Sequence, residues 1–153
     1  MYKHILVAVD DSDISMQALH EAINLSKEHQ AKLRIVHVVD EYYVDYVGLG
    51  IDYVRLEASF KEYGQKVLSN MEAIARQSNV DFDSQLLEIK THGGRTPEKI
   101  IEAAKAWPAD LLVIGTHGRR GFHHFLLGSV AEGVIRIAPM PVLLIRGIQT
   151  TTS

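Results

Sequence analysis

The sequence predicts an α/β fold: an open, doubly wound sheet of five parallel strands with helices on both faces. Three observations predict it. The 153 residues alternate short, β-branched apolar runs with stripes of helical period, in the order β-α-β-α-β-α-β-α-β. The strand runs are nearly unbroken in apolar character, as strands covered on both faces are and half-exposed antiparallel strands are not. A glycine-rich turn follows the fourth run, where a strand hands over to a helix.

The elements follow in order. His4 to Val9 (HILVAV) reads as a buried strand. From Ser15, Met16, Leu19, Ala22 and Ile23 recur at spacings of three and four, marking an amphipathic helix that ends near His29. Leu33 to Val39 is the second strand, and 40–52 a loop holding Tyr42, Tyr43 and Tyr46, read either as a mobile lid or as a cover for a ligand or partner. Tyr53 to Gln77 forms a helix with Leu56, Phe60, Val67, Leu68, Met71 and Ile74 on one side. Asp83 to Lys90 alternates weakly as a third strand. Thr96-Pro97-Glu98 opens the third helix, with threonine as cap and proline in the first turn; Ile100, Ile101, Ala104 and Trp107 follow. Asp110 to Ile114 is a fourth strand stopped by Gly115. The fourth helix spans about Ser129 to Ala138, and Met140 to Ile145 closes the sheet. One domain over 1–148 with a frayed polar tail at 149–153 is expected. Doubly wound sheets bind ligands beyond the carboxyl ends of their strands, so strands one, two and four should face a common cleft.

Composition narrows the function. At 46% hydrophobic and 23% charged residues the chain is neither disordered nor fibrous. A net charge of −3 argues against a nucleic-acid partner. Cysteine is absent, which removes disulfides, thiolate metal sites and a cysteine nucleophile, and fits a cytoplasmic protein. The first apolar run is too short for a secretory signal and no run approaches a membrane span, so no membrane insertion is expected.

The 11 glycines are an ordinary number, but four of them, Gly115, Gly118, Gly121 and Gly128, fall within 14 residues. They lie between a strand end and a helix start, where unpaired N–H groups and the helix dipole favour an anion. Ser129 can cap that helix or offer its hydroxyl to a phosphate, and Arg119 and Arg120 supply charge. A glycine-rich surface turn fits the same residues. There is no Walker P-loop, and glycines spaced by three do not make the dinucleotide fingerprint. Asp10, Asp11 and Asp13 cluster after the first strand; capping by Ser12 or Asp13 explains the acids at 11 and 13, whereas Asp10 sits at the strand's carboxyl end as a ligand would. His117, His123 and His124 lack the ligand set of a zinc site and read as loop residues, with His117 holding the turn by a hydrogen bond. Ser129 is not in a nucleophile elbow, and no catalytic residue is assigned.

The spacing Gly115-x2-Gly118-x9-Gly128-Ser129 resembles the ATP-binding motif of the universal stress protein family, G-x2-G-x9-G-(S/T). Lys3 to Ser12, His37-Val38-Val39, Gly115-Thr116-His117-Gly118 and Pro139 to Ile145 resemble that family's first strand, second strand end, G-(S/T)-H-G turn and terminal strand. The resemblance implies a Rossmann-like fold of the adenine nucleotide alpha hydrolase-like type. It also implies a cytoplasmic, ATP-binding regulatory stress-response protein, with Mg²⁺ as an optional companion of the nucleotide. By position it implies Ala8, Val9 and Asp10 beside the adenosine, Val38 on the adenine, and Ile114 and Gly115 against the nucleoside. Gly118 and Arg119 would begin the phosphate loop, and Gly128, Ser129 and Val130 would hold the phosphates. Asp11 departs from the small residue common in the family; the extra carboxylate either repels a triphosphate or, like Asp10, helps hold Mg²⁺. The resemblance further implies a homodimer, or a tetramer built from it, through the terminal strand Val142 to Ile145. Two other readings stand beside this one: a slow ATP hydrolase, although the S-G-G-x-D-S loop of related hydrolases is missing after strand one, and an interaction module without nucleotide.

Overall fold

A computed structural model describes residues 1–40, 52–90, 94–118 and 127–147. Within them the chain forms β1 (His4–Ala8), α1 (Asp13–His29), β2 (Lys32–Asp40), α2 (Tyr53–Gln77), β3 (Phe82–Ile89), α3 (Thr96–Ala106), β4 (Leu111–Gly115), α4 (Ser129–Ile137) and β5 (Val142–Ile145). The five strands make one parallel sheet in the order β3-β2-β1-β4-β5. The α/β class, element order and parallel pairing are those the sequence predicts. The loop tyrosines Tyr42, Tyr43 and Tyr46, the residues Arg119, Arg120, Gly121, His123 and His124, and the 149–153 tail lie outside the described residues.

Both faces of the sheet are covered, which is why consecutive residues of β1 are apolar. Ile5 and Val7 face α1 and α2, packing with Leu19, Ile23, Leu68 and Met71. Leu6 and Ala8 face α3 and α4, packing with Ile100, Ala104 and Val134. Ile5, Leu6 and Val7 have no exposed surface at all. At the far edge β5 has one neighbour, and all four of its apolar residues are only partly buried.

The differences from the sequence expectation are local. β1 stops at Ala8, one residue early, because its pairing with β4 ends there; Val9 keeps a single backbone bond to the Val36 carbonyl (2.9 Å). α1 starts two residues early, at Asp13, because Ser12 caps it by accepting from the Ser15 N–H. Thr96 is the first helical residue of α3 rather than its cap. Arg95 takes the cap position, and the Glu98 carboxylate reaches back to accept from the Arg95 N–H (3.3 Å). Gly115 ends β4 rather than breaking it, paired with Ile145. β5 starts at Val142 rather than Met140, since Pro141 has no N–H and contributes only its carbonyl, to Leu112 (3.0 Å).

A polar strut sits at the amino end of the sheet. Arg34 on β2 holds Asp83 on β3 through two hydrogen bonds, 2.7 and 2.9 Å, and its guanidinium lies 4.6 Å from the Trp107 ring centre. The hydrogen bond from Arg34 holds the Asp83 carboxyl below its ordinary value of 3.8. A depressed carboxyl pKa stabilises the fold above the unfolded value and loses that contribution as pH falls through the folded value. Asp83→Asn is therefore expected to lower the melting temperature by about 1–4 °C at pH 7, the scale of a partly exposed pair. The difference from wild type should shrink as pH falls below the ordinary carboxyl value of 3.8. Thermal melts of both proteins from pH 7 to pH 3 check this; a pH-independent gap would mean that packing, not charge, makes the strut.

Candidate functional site

Strand order reverses between β1 and β4. β2 lies on one side of β1 and β4 on the other, with α1 and α2 packed on one face and α3 and α4 on the opposite face. The chain thus leaves the carboxyl ends of β1 and β4 in opposite directions, and a cleft opens between them. A cavity of about 650 Å³ fills it, within the usual range for small-molecule sites. Ala8, Val9 and Asp10 line it from β1 and its exit, Val38 from β2, Ile114, Gly115 and Gly118 from β4 and its exit, and Gly128, Ser129 and Val130 from the start of α4. Ten of the eleven residues singled out in the sequence are thus brought together; the eleventh, Arg119, lies outside the described residues.

Among the helix N-termini at this cleft, those of α1 and α4 are treated differently. At α1 the protein supplies its own acceptors. Asp10 Oδ1 accepts from the Ser12 N–H and the Ser15 hydroxyl, both at 2.8 Å, and Ser12 caps the helix. Asp10 is therefore part of the capping arrangement that the sequence suggested for its neighbours, while its Oδ2 faces Gly118. At α4 the expected cap, Ser129, is instead the first helical residue. The cap is Gly128, which has no side chain to offer. Among the described residues, no side chain accepts from the first N–H groups of α4, at Ser129, Val130 and Ala131, which line the cavity wall. An anion placed there meets both the donors and the positive end of the helix dipole.

The glycines are required by close approaches. A Cβ on Gly128 would lie 3.0 Å from the Thr116 carbonyl oxygen, which accepts the Gly128 N–H at 2.7 Å. The Thr116 N–H in turn donates to the Ile145 carbonyl at 2.9 Å, so both ends of the glycine loop are pinned to each other and to the edge strand. A Cβ on Gly118 would lie 2.8 Å from Asp10 Oδ2, and one on Gly115 would lie 2.4 Å from Ile14 of α1. His117 holds the turn as expected, through its neighbour: Nδ1 lies 3.0 Å from the Thr116 hydroxyl, while its buried Nε2 has no partner among the described residues.

Several lining residues were not found in the sequence. His37 is buried, and its Nδ1 donates to the Val9 carbonyl at 2.7 Å, fixing the end of β1 beyond its last strand residue. The signal was there, a lone imidazole in an aliphatic strand. Phe60 and Tyr63 reach the cavity from α2, one turn apart, and the Tyr63 hydroxyl donates to Asp11. Gly64 makes that approach possible, since a Cβ there would lie 2.4 Å from Val39. The described lining carries the carboxylates of Asp10, Asp11, Asp40 and Glu132 and no lysine or arginine. Among the described residues no group of three or more His, Asp or Glu is arranged to hold a metal ion, and no helix is long and apolar enough to cross a membrane.

Comparison with known proteins agrees with this geometry. Residues 1–146 match the model of the universal stress protein family. A universal stress protein of Methanocaldococcus jannaschii is 36% identical over 148 residues, covering 95% of this chain and 83% of its own length. A solved member from Burkholderia pseudomallei is 33% identical, covers 94% of this chain and 96% of its own, and superposes with a TM-score of 0.75. Two further structures hold nucleotides. One is an Archaeoglobus fulgidus protein in complex with dAMP (28% identity, TM-score 0.65, 94% and 98% coverage). The other is a universal stress protein in complex with cAMP (25% identity, TM-score 0.68, 94% and 97% coverage). With the family model spanning nearly its whole length and a curated relative above one-third identity, this chain belongs to the universal stress protein family.

Proposed function

We propose that this protein is a cytoplasmic regulatory stress protein that binds an adenine nucleotide, ATP in the first instance, in the cleft beyond β1, β2 and β4. The observation that carries this is the glycine-capped start of α4. It leaves a row of N–H donors at the wall of a cavity whose opposite wall is apolar at Val38 and Ile114. The base and ribose lie against Val38, Ala8, Val9, Ile114 and Gly115, and the phosphates lie on Gly128, Ser129 and Val130. Arg119 follows directly on the Gly118 turn. The dAMP and cAMP held by related structures support an adenine ligand in this fold. Asp11 is engaged by Tyr63, which favours a structural role over magnesium binding. Mg²⁺, where it accompanies the nucleotide, draws its ligands mainly from phosphate and water, as this ion commonly does.

Ligand binding to the native state stabilises it by mass action, and that stabilisation is how the nucleotide acts on dimerisation or partner contacts. The second element of the proposal is a homodimer through β5. Its apolar edge, Val142 to Ile145, is half-buried in the monomer and has one free side, which suits an isologous pairing.

Gly118→Ala with Gly128→Ala is expected to weaken ATP binding at least about tenfold, roughly 1.4 kcal/mol, while circular dichroism shows the fold retained. Unchanged affinity in the folded variant would remove the phosphate-loop assignment. ATP turnover is expected to stay below about 1 s⁻¹, an ordinary enzyme rate; faster hydrolysis would make the protein an enzyme. Leu144→Arg should convert a dimer to a monomer in analytical ultracentrifugation, and a dimer that survives it would place the interface elsewhere.

A further inference from the structure

We propose that His37 is a positioning residue for the nucleotide: by holding the Val9 carbonyl, it fixes the peptide that presents the Asp10 carboxylate to the cleft. This rests on the nucleotide reading above and deepens it.

The need arises where β1 runs out of partners. Its ladders to β2 and β4 both end at Ala8, while β2 continues beside β3 to Asp40. The Val9 N–H still donates to the Val36 carbonyl at 2.9 Å, and the Val9 carbonyl accepts from His37 Nδ1 at 2.7 Å. A carbonyl only accepts, so Nδ1 carries the proton and the neutral ring is the Nδ1–H tautomer. Ile35, Val36, Val38 and Val39 around it carry no side-chain donor. The imidazole is 8% exposed, which shelters the bond from competing water.

Val9 and Asp10 share one peptide plane, so the Val9 carbonyl and the Asp10 N–H turn together. His37 holds one edge of that plane. Ser15 holds the other, where its Oγ accepts from the Asp10 N–H at 2.9 Å. The Asp10 side chain follows from the plane. Its Oδ1 accepts from the Ser12 N–H and the Ser15 hydroxyl, and its Oδ2 stands where a Cβ on Gly118 would lie 2.8 Å away. His37, Asp10 and Gly118 all line the large cavity. A bond from β2 thus reaches, through one peptide of the β1 exit, a carboxylate set against the turn after β4.

The test is calorimetric titration with ATP of wild type and of variants at His37. His37→Leu removes the donor, His37→Asn keeps one near the Nδ1 position, and His37→Gln offers its amide near the Nε2 position. ATP affinity should fall about tenfold in His37→Leu and His37→Gln and stay within about threefold of wild type in His37→Asn, the scale of one buried hydrogen bond. Asp10→Ala should cost less affinity on the His37→Leu background than in wild type, because both changes act through the same peptide. Melting curves identify which variants fold; where His37→Leu does not, the Asn and Gln variants carry the same comparison. The wild-type ring supplies a check that needs no variant: its ¹⁵N spectrum should show the proton on Nδ1, and an Nε2–H tautomer overturns the assignment. Rescue by Gln and not by Asn would mean that the ring touches the ligand itself, and overturns it too. So does strict additivity with Asp10→Ala, or a folded His37→Leu protein that binds ATP like wild type; each of these leaves the nucleotide site standing. A wild type that binds no ATP overturns both readings.

Discussion

Everything in this molecule depends on β1 being paired on both sides by strands whose connections leave in opposite directions. With parallel ladders to β2 and β4 on its two sides, α1 and α2 on one face of the sheet and α3 and α4 on the other, Ile5, Leu6 and Val7 are completely buried. No side chain can fill the gap that opens where the two connections diverge, because the backbone itself is turning away there. The cavity is a consequence of topology, and the residues around it are those that happen to end strands or begin helices.

What the protein adds to that topology is a decision about charge. Two helix starts point into one cleft, and each could attract an anion. At α1 Ser12 accepts from the Ser15 N–H, and Asp10 accepts from the Ser12 N–H and the Ser15 hydroxyl, so the helix start is tied to the β1 exit. At α4 a glycine cap withholds any such acceptor. The same position, the start of a helix, is given a side-chain cap in one place and, among the described residues, none in the other. The carboxylates around the capped one then repel an anion that strays from the uncapped one.

Much of this was legible in the sequence. The uninterrupted apolar strands gave a doubly buried parallel sheet because nothing else keeps Ile5, Leu6 and Val7 all dry. The clustering of glycines marked the strand-to-helix joint because Gly115, Gly118 and Gly128 lie where Ile14, the Asp10 carboxylate and the Thr116 backbone come too close for a Cβ. What was not legible is equally physical. Thr96 and Ser129 look like caps by residue type, but cap position is fixed by where the chain enters the helix, and the residues before them, Arg95 and Gly128, occupy it. The bond from Tyr63 to Asp11 and that from His37 to the Val9 carbonyl join elements far apart in the chain, so no local pattern announces them. Asp10 was read as a ligand residue, and one of its oxygens proves to be occupied by Ser12 and Ser15.

The central claim is that a nucleotide phosphate sits on the open N-terminus of α4. Amide chemical shifts of the ¹⁵N-labelled protein titrated with AMP test it most directly. The account predicts that the largest shifts fall on the backbone N–H groups of Ser129, Val130 and Ala131, with smaller ones at Val38 and Ile114. Shifts centred on the start of α1, with α4 unmoved, would contradict it.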